Sequence, residues 1–195
     1  MKVSTFQVLA LCLLSASPAM AQSDPYFREG FTLSAGAGVG SAGVTCSSCQ
    51  QGRETAPALY LRLGGAYRPN LILGGEINGW SKTSQDQGDE GKVTVATIDA
   101  FAQWYLVPDA GLFLAGGLGI GTMRVEVKVP GLATLSDQSA GLGFHIGVGY
   151  DVHLTQSFAL TPYVTIFGTQ GGKVESSGKK IDANVAHIGL GLTWH

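Results

Sequence analysis

Five ionisable side chains in this 195-residue chain have types that could do chemistry: Arg62, Glu76, Asp99, His145 and His187. A carboxylate beside an imidazole can work as acid and base. Histidine with carboxylates can also ligate a metal. Cys46 and Cys49 stand in a C-x-x-C spacing that suits zinc, redox work or a disulfide. Two glycine runs, Gly36-Ala-Gly38-Val-Gly40 and Gly117-Leu-Gly119-Ile-Gly121, invite a phosphate-loop reading.

None of these chemistries completes itself in the sequence. Zinc would need a second ligand pair, and none stands near Cys46 and Cys49. A redox pair would need a strand-to-helix context, and none is readable. In an exported protein a short-loop disulfide, Cys46 to Cys49, is the better reading. Both glycine runs have period two, and a dinucleotide loop requires a following helix that neither has. They read as one face of a strand. His145 and His187 fall on strands that are not neighbours, with no third ligand in sight. Polar filling of an interior is the plainer account, with Arg62 paired to a carboxylate because an unpaired buried charge is costly. No catalytic residue, cofactor or metal is expected.

The elements that position these residues begin after an export segment. Lys2 is followed by an apolar run over 8–16 and then Ala19-Met20-Ala21, which predicts cleavage before Gln22. Residues 22–29 form a short extension, and 30–195 form one domain. Charged residues make up only 13% of the chain, with 29 glycines and a mean hydropathy of +0.20. A soluble exported domain usually carries more surface charge. No later stretch is long and apolar enough for a helical span. The net charge of −2 gives no reason to expect nucleic acid.

Alternation resolves the tension. Eight segments of period two are predicted near 30–40, 57–67, 71–81, 93–107, 112–126, 139–152, 158–169 and 182–194. Short connections at 68–70, 108–111 and 153–157 alternate with longer ones at 41–56, 82–92, 127–138 and 170–181. That asymmetry predicts an all-β, eight-stranded antiparallel up-and-down transmembrane barrel with its short turns in the periplasm. One face of every strand is apolar and must meet lipid. Phe31, Tyr67, Trp104, Tyr150, Phe158 and Trp194 lie on it near periplasmic turns, as an aromatic girdle. The other face holds the five ionisable residues, bulky rings and glycines. Large residues on one wall and glycines on the opposite wall would fill a narrow barrel, so no open pore is expected. With a three-residue loop at Arg68-Pro69-Asn70, Arg62 falls directly opposite Glu76.

The closing segment His187-Ile-Gly189-Leu-Gly-Leu192-Thr-Trp194 resembles the terminal-strand signal of small outer-membrane barrels of the OmpA/OmpX-like type. His195 departs from it, since that family usually ends on the aromatic. The resemblance spans about 30–195. It implies localisation in the outer membrane, insertion by the barrel-assembly machinery and a monomer in contact with lipid and lipopolysaccharide. Its role would be structural, or one of surface interaction through extracellular loops. No peptidoglycan-binding domain is expected. Basic residues such as Arg53, Lys173, Lys179 and Lys180 could meet lipopolysaccharide phosphates, though solvated loop charge is the plainer reading. Some barrels of this size modify lipid A, but the His-x-Ser of the deacylases is missing at His145-Ile-Gly147 and His187-Ile-Gly189, and the long loops contain no histidine. The alternatives are therefore a lipid-modifying enzyme or a small pore.

Overall fold

The computed structural model describes residues 28–46, 52–86, 89–107, 110–128, 134–174 and 180–195. The expected export segment, Cys49 and the side chain of Cys46 lie outside the described residues, as does Lys179. The strands are β1 (Phe31–Cys46), β2 (Glu54–Arg68), β3 (Leu71–Asp86), β4 (Asp89–Tyr105), β5 (Leu112–Lys128), β6 (Leu135–Tyr150), β7 (Val152–His153), β8 (Phe158–Val174) and β9 (Lys180–Trp194). Each long strand pairs antiparallel with its sequence neighbour. β1 also pairs with β9, and β6 with β8, so the sheet closes on itself as eight long strands. Closure leaves no edge within the membrane, where unpaired backbone groups would meet hydrocarbon.

The two-residue strand β7 is a product of Pro162. The β6–β8 ladder ends at Gly149↔Tyr163 and resumes as Val152↔Leu160. Proline has no N–H to give to a ladder. The register is kept across that gap, and on the other side of β6 the Asp151 N–H donates to the Gly111 carbonyl at 2.9 Å, one step beyond Leu112↔Tyr150.

The lipid face has legible limits. On β5 the outward residues run from Leu112 through Leu114 and Leu118 to Ile120, all exposed. Nine residues at the rise and tilt of a barrel strand cover roughly 23 Å, close to the height of an outer-membrane apolar band. Above it Ser81↔Thr94, Thr94↔Arg124 and Arg124↔Gln138 are successive cross-strand partners. Ser41↔Thr55 continues this polar ring on the other side. The upper membrane limit is thus marked by small polar and basic residues in place of a second aromatic ring.

The strands do not stop there, which corrects the expected loops. Most of 82–92 belongs to β3 and β4, paired down to Asp86↔Asp89. Likewise 127–138 supplies the ends of β5 and β6, paired to Val127↔Leu135. The 41–56 and 170–181 connections also give residues to strands, with Cys46↔Ile181 and Lys173↔Lys180. A membrane crossing needs only about ten residues per strand. The excess stands above the bilayer as two sheets, one of β3–β6 and one of β8, β9 and β1.

A second correction concerns the turn at Pro69. Arg68 pairs with Leu71, and Ala66 with Ile72, with a register shift between them. The loop is therefore two residues, Pro69-Asn70, and Tyr67 is the extra residue of a bulge. The register above the bulge still sets Arg62 opposite Glu76.

The interior is filled, and several rings sit over glycines of the neighbouring strand. Phe113↔Gly149, Tyr163↔Gly189, His145↔Gly117 and Tyr60↔Gly36 are direct cross-strand partners. A Cβ at Gly149 would meet the Phe113 ring, and one at Gly36 the Tyr60 ring. Facing Cβ positions in a ladder are only about 5 Å apart, so a missing side chain leaves a seat for the neighbouring ring.

Candidate functional site

The interior falls into three layers. Toward the periplasm Ile72, Phe101, Tyr105, Phe113 and Ala115 pack together. Toward the cell exterior Trp80, Val95, Met123, Phe167 and Val185 form an apolar plug with several alanines. Between them lies the charged layer. Period-two alternation puts Arg62, Glu76, Asp99 and His145 on inward positions, and register brings them level.

Arg62 Nε donates to Glu76 Oε2 at 2.6 Å. Its Nη1 donates to the Gln103 side-chain oxygen, and its guanidinium lies 4.9 Å from the Phe101 ring centre. His145 sits between two carboxylates. Its Nε2 is 3.3 Å from Glu76 Oε2, and its Nδ1 is 3.1 Å from Asp99 Oδ2. Asp99 Oδ2 also accepts from Thr97 Oγ1 at 2.7 Å. Arg62 and an imidazole interleave with the two carboxylates, and pairing of Arg62 with Glu76 offsets the cost of burying either charge.

His187 stands apart from these four. It is buried, and its Nε2 meets the Tyr163 hydroxyl at 2.8 Å. The girdle candidates Phe31, Tyr67, Trp104, Tyr150, Phe158 and Trp194 all face outward, 40% to 66% exposed. Phe31 and Trp194 touch, with ring centres 6.1 Å apart. Of the closing segment, Gly189 and Leu192 lie on β9 in register with Tyr163 and Leu160 of β8. The Cys46–Cys49 pair cannot be placed among the described residues.

A second polar cluster closes the periplasmic end, and the sequence reading passed over it. Asp151 Oδ2 accepts from the Tyr105 hydroxyl at 2.7 Å, and Oδ1 from Thr161 Oγ1 at 2.6 Å. His195 Nε2 approaches Oδ2 at 3.5 Å. Burial pushes the Asp151 carboxyl up, but the bonds from His195, Thr161 and Tyr105 together hold it below the usual carboxylate range. The Arg28 guanidinium carbon lies over the Tyr105 ring, 3.5 Å from its centre, and Arg28 Nη2 donates to the Ala110 carbonyl at 3.1 Å. His153 nearby is held below the usual histidine range by burial and by Arg28. Asp151 had a signal: parity turns it inward beside Tyr150. Arg28 had none, because it precedes the first strand.

The two clusters join through Gln103, whose amide donates to the Tyr105 hydroxyl at 2.7 Å. The imidazole between two carboxylates has the composition of an acid–base site. It is nevertheless sealed: Glu76, Asp99 and His145 are each 1% to 3% exposed. The cavity beside Arg62 and Glu76 is about 10 Å³, room for about one water. Among the described residues no group of three or more His, Cys, Asp or Glu side chains is arranged to hold a metal ion.

A closed barrel with a lipid belt and a filled interior limits the comparison to membrane barrels. Residues 7–193 match the family model described as outer membrane protein beta-barrel domain. The chain belongs to that family. It is an integral outer-membrane β-barrel protein. Solved structures share its fold at low identity. Ail, the attachment invasion locus protein of Yersinia pestis in complex with the heparin analogue sucrose octasulfate, is 13% identical with a TM-score of 0.63, covering 85% of this chain and 99% of that one. Neisserial surface protein A is 16% identical with a TM-score of 0.55, covering 85% and 96%. OprG of Pseudomonas aeruginosa is 14% identical with a TM-score of 0.51, covering 88% and 100%. A search of the curated proteins found no match.

Proposed function

We propose that this outer-membrane barrel is exported by a cleaved signal peptide, acts as a monomer without enzymatic activity, and binds a partner at the cell surface through its strand extensions. The observation that carries the reading is the overshoot of β3–β6 beyond the polar ring. The β2–β3 ladder ends at Ala58↔Trp80, so Ser81–Asp86 have no ladder partner on that side. Among the described residues the β6–β8 ladder ends at Ser139↔Val174, and Leu135–Gln138 have no ladder partner on that side. Open strand edges are templates for an added strand.

The sealed charged layer supports the absence of an enzyme, since no substrate-sized space touches it. The apolar plug supports a barrel that does not conduct. The neighbouring Ail was solved with a polyanion. In this chain three basic residues of the extensions are matched by carboxylates: Arg124 with Glu126 at 3.1 Å, Lys128 with Glu90 at 3.6 Å, and Lys82 with Glu54. That favours strand pairing with a protein over a polyanion, and leaves lipopolysaccharide as the surrounding lipid.

Photo-crosslinking on whole cells tests the reading. A crosslinker at Ser81, which begins the open edge, should capture a discrete surface or host protein, and one at Leu118 should capture lipid only. Replacing residues 83–91 with a two-residue turn should abolish capture while the barrel still inserts. Capture that survives this truncation overturns the proposal. So would single-channel conductance of the purified protein, or altered lipid A by mass spectrometry of expressing cells.

A further inference from the structure

Two rows of outward positions cross β6, β8, β9 and β1 at the upper edge of the lipid belt. The lower row is Ile146↔Ile166↔Ala186↔Ser41, and the next row up is Phe144↔Gly168↔Asn184↔Gly43. Ile146 and Ile166 are exposed to lipid, and Ser41 belongs to the polar ring. The upper row therefore stands at the level of the lipid head groups. Its two glycines leave the surface low. Beside Gly168 lies a groove of about 350 Å³, lined by Phe144 of β6, Gln170 of β8, Asp182 and Asn184 of β9 and Thr45 of β1. That volume is at the small end of the range for ligand sites.

The other glycine seats a cation at the rim. The Arg53 guanidinium lies over Gly43, where a Cβ would come within 3.0 Å of Nη1. Nη1 donates to Asn184 Oδ1 at 2.8 Å, Nε donates to Ser41 Oγ at 3.1 Å, and Nη2 donates to the Ser41 carbonyl. Asn184 thus belongs both to the groove and to the hold on Arg53. Each acceptor is a neutral oxygen, and among the described residues Arg53 has no carboxylate partner. A guanidinium has five N–H donors, so two remain to face a ligand. Lys173 and Lys180, exposed direct partners on β8 and β9, add positive potential above the groove. Asp182 Oδ1 accepts the Gly171 N–H at 2.6 Å.

We propose that this groove seats the head group of a phosphorylated aminosugar glycolipid of the outer leaflet. Arg53 takes a phosphate in a charge-assisted pair. Phe144 packs against the carbon face of the sugar ring by dispersion. Asn184, Gln170 and Asp182 offer donors and acceptors for its hydroxyl and amide groups. A phospholipid would use Arg53 alone, and the aromatic wall and mixed polar lining favour the sugar. This site is separate from the strand edges, and either can exist without the other.

The probe is lipid A, titrated into the purified protein in detergent and counted by native mass spectrometry. Lipid A should bind one to one. Phosphatidylglycerol and fully dephosphorylated lipid A should each bind about tenfold more weakly. Arg53→Gln should weaken lipid A binding about tenfold. Asn184→Asp sets a carboxylate against Arg53 and neutralises it without loosening its hold, so it should cost as much. Phe144→Leu should cost about threefold. Lys92→Gln removes an exposed charge from β4, which contributes nothing to the groove, and should leave binding unchanged. Heat-dependent gel migration verifies that each variant is folded, and Asn184→Asp carries the test if Arg53→Gln fails to insert. Equal losses in Arg53→Gln and Lys92→Gln, or undiminished binding by Asn184→Asp, overturn the proposal. Phosphatidylglycerol bound as tightly as lipid A overturns the choice of a glycolipid.

Discussion

Arg62 on β2 and Glu76 on β3 face each other across one ladder position, and Nε reaches Oε2 at 2.6 Å in a setting almost free of water. Removing one partner leaves the other charged and buried. Glu76→Gln or Arg62→Met should each cost about 3–5 kcal/mol. The double variant should recover part of that loss, because neither charge remains. Urea unfolding in lipid vesicles measures all three; equal losses in single and double variants would show that the ion pair is not what holds this layer.

The glycine seats make a test of packing. A Cβ at Gly149 lands on the Phe113 ring, so Gly149→Ala should destabilise by about 1–3 kcal/mol. Phe113→Leu on the same chain should restore much of it. Additive losses in the double variant would mean the seat is not the cause.

Acid should loosen the periplasmic end. Asp151 has a folded pKa below its unfolded value near 4. The stability it contributes is present above that unfolded value and is lost as pH falls through the folded pKa. His153, also lowered, binds its proton more readily when unfolded, so its contribution falls in the same direction below about pH 6.5. The unfolding midpoint should decline from pH 7 to pH 3, and Asp151→Asn should flatten the limb below pH 4. An unchanged acid limb in that variant would remove Asp151 from the account.

The lipid belt can be measured by depth. Leu118→Arg at the middle of β5 should cost about 2–4 kcal/mol, and Thr122→Arg near the polar ring about 0–1 kcal/mol. Equal costs would mean the bilayer is set at another height.

At the closing segment, Trp194→Ala should slow assembly in cells while the purified variant still refolds in detergent. A pulse-chase assay of heat-dependent migration reports both. Normal insertion in cells would take the assembly signal away from this residue.

Much of this architecture was readable because a lipid face and a packed interior alternate with period two. That contrast fixed eight strands, the outward Trp104 and Tyr150, and the inward Glu76 and His145. It fades above the membrane, where outward Thr94 and inward Ser84 both meet water. The strand ends therefore carry the pattern of loops. Within the charged layer, pairing of Arg62 with Glu76 followed from counting along a hairpin. The meeting of His145 with Glu76 and Asp99 did not, since it depends on how far β6 is staggered around the barrel. The break at Asp151 was hidden for another reason: Pro162 lies on the apolar face and suits lipid, and its effect falls on the partner strand through a missing donor.

The glycines of β9 have a consequence for how the barrel finishes folding. Alternation alone would let the last strand slide by two residues and keep every lipid-facing side chain in place. In the native alignment Gly191 lies under the Tyr60 hydroxyl and Gly189 under that of Tyr163. Sliding one way drives Thr193 under Tyr60; sliding the other way drives His187 under Tyr163. Each wrong alignment meets an aromatic ring where the right one meets a hydrogen atom. Two glycines thus act as a proofreading gauge, and the cylinder can be sewn shut at one stitch only.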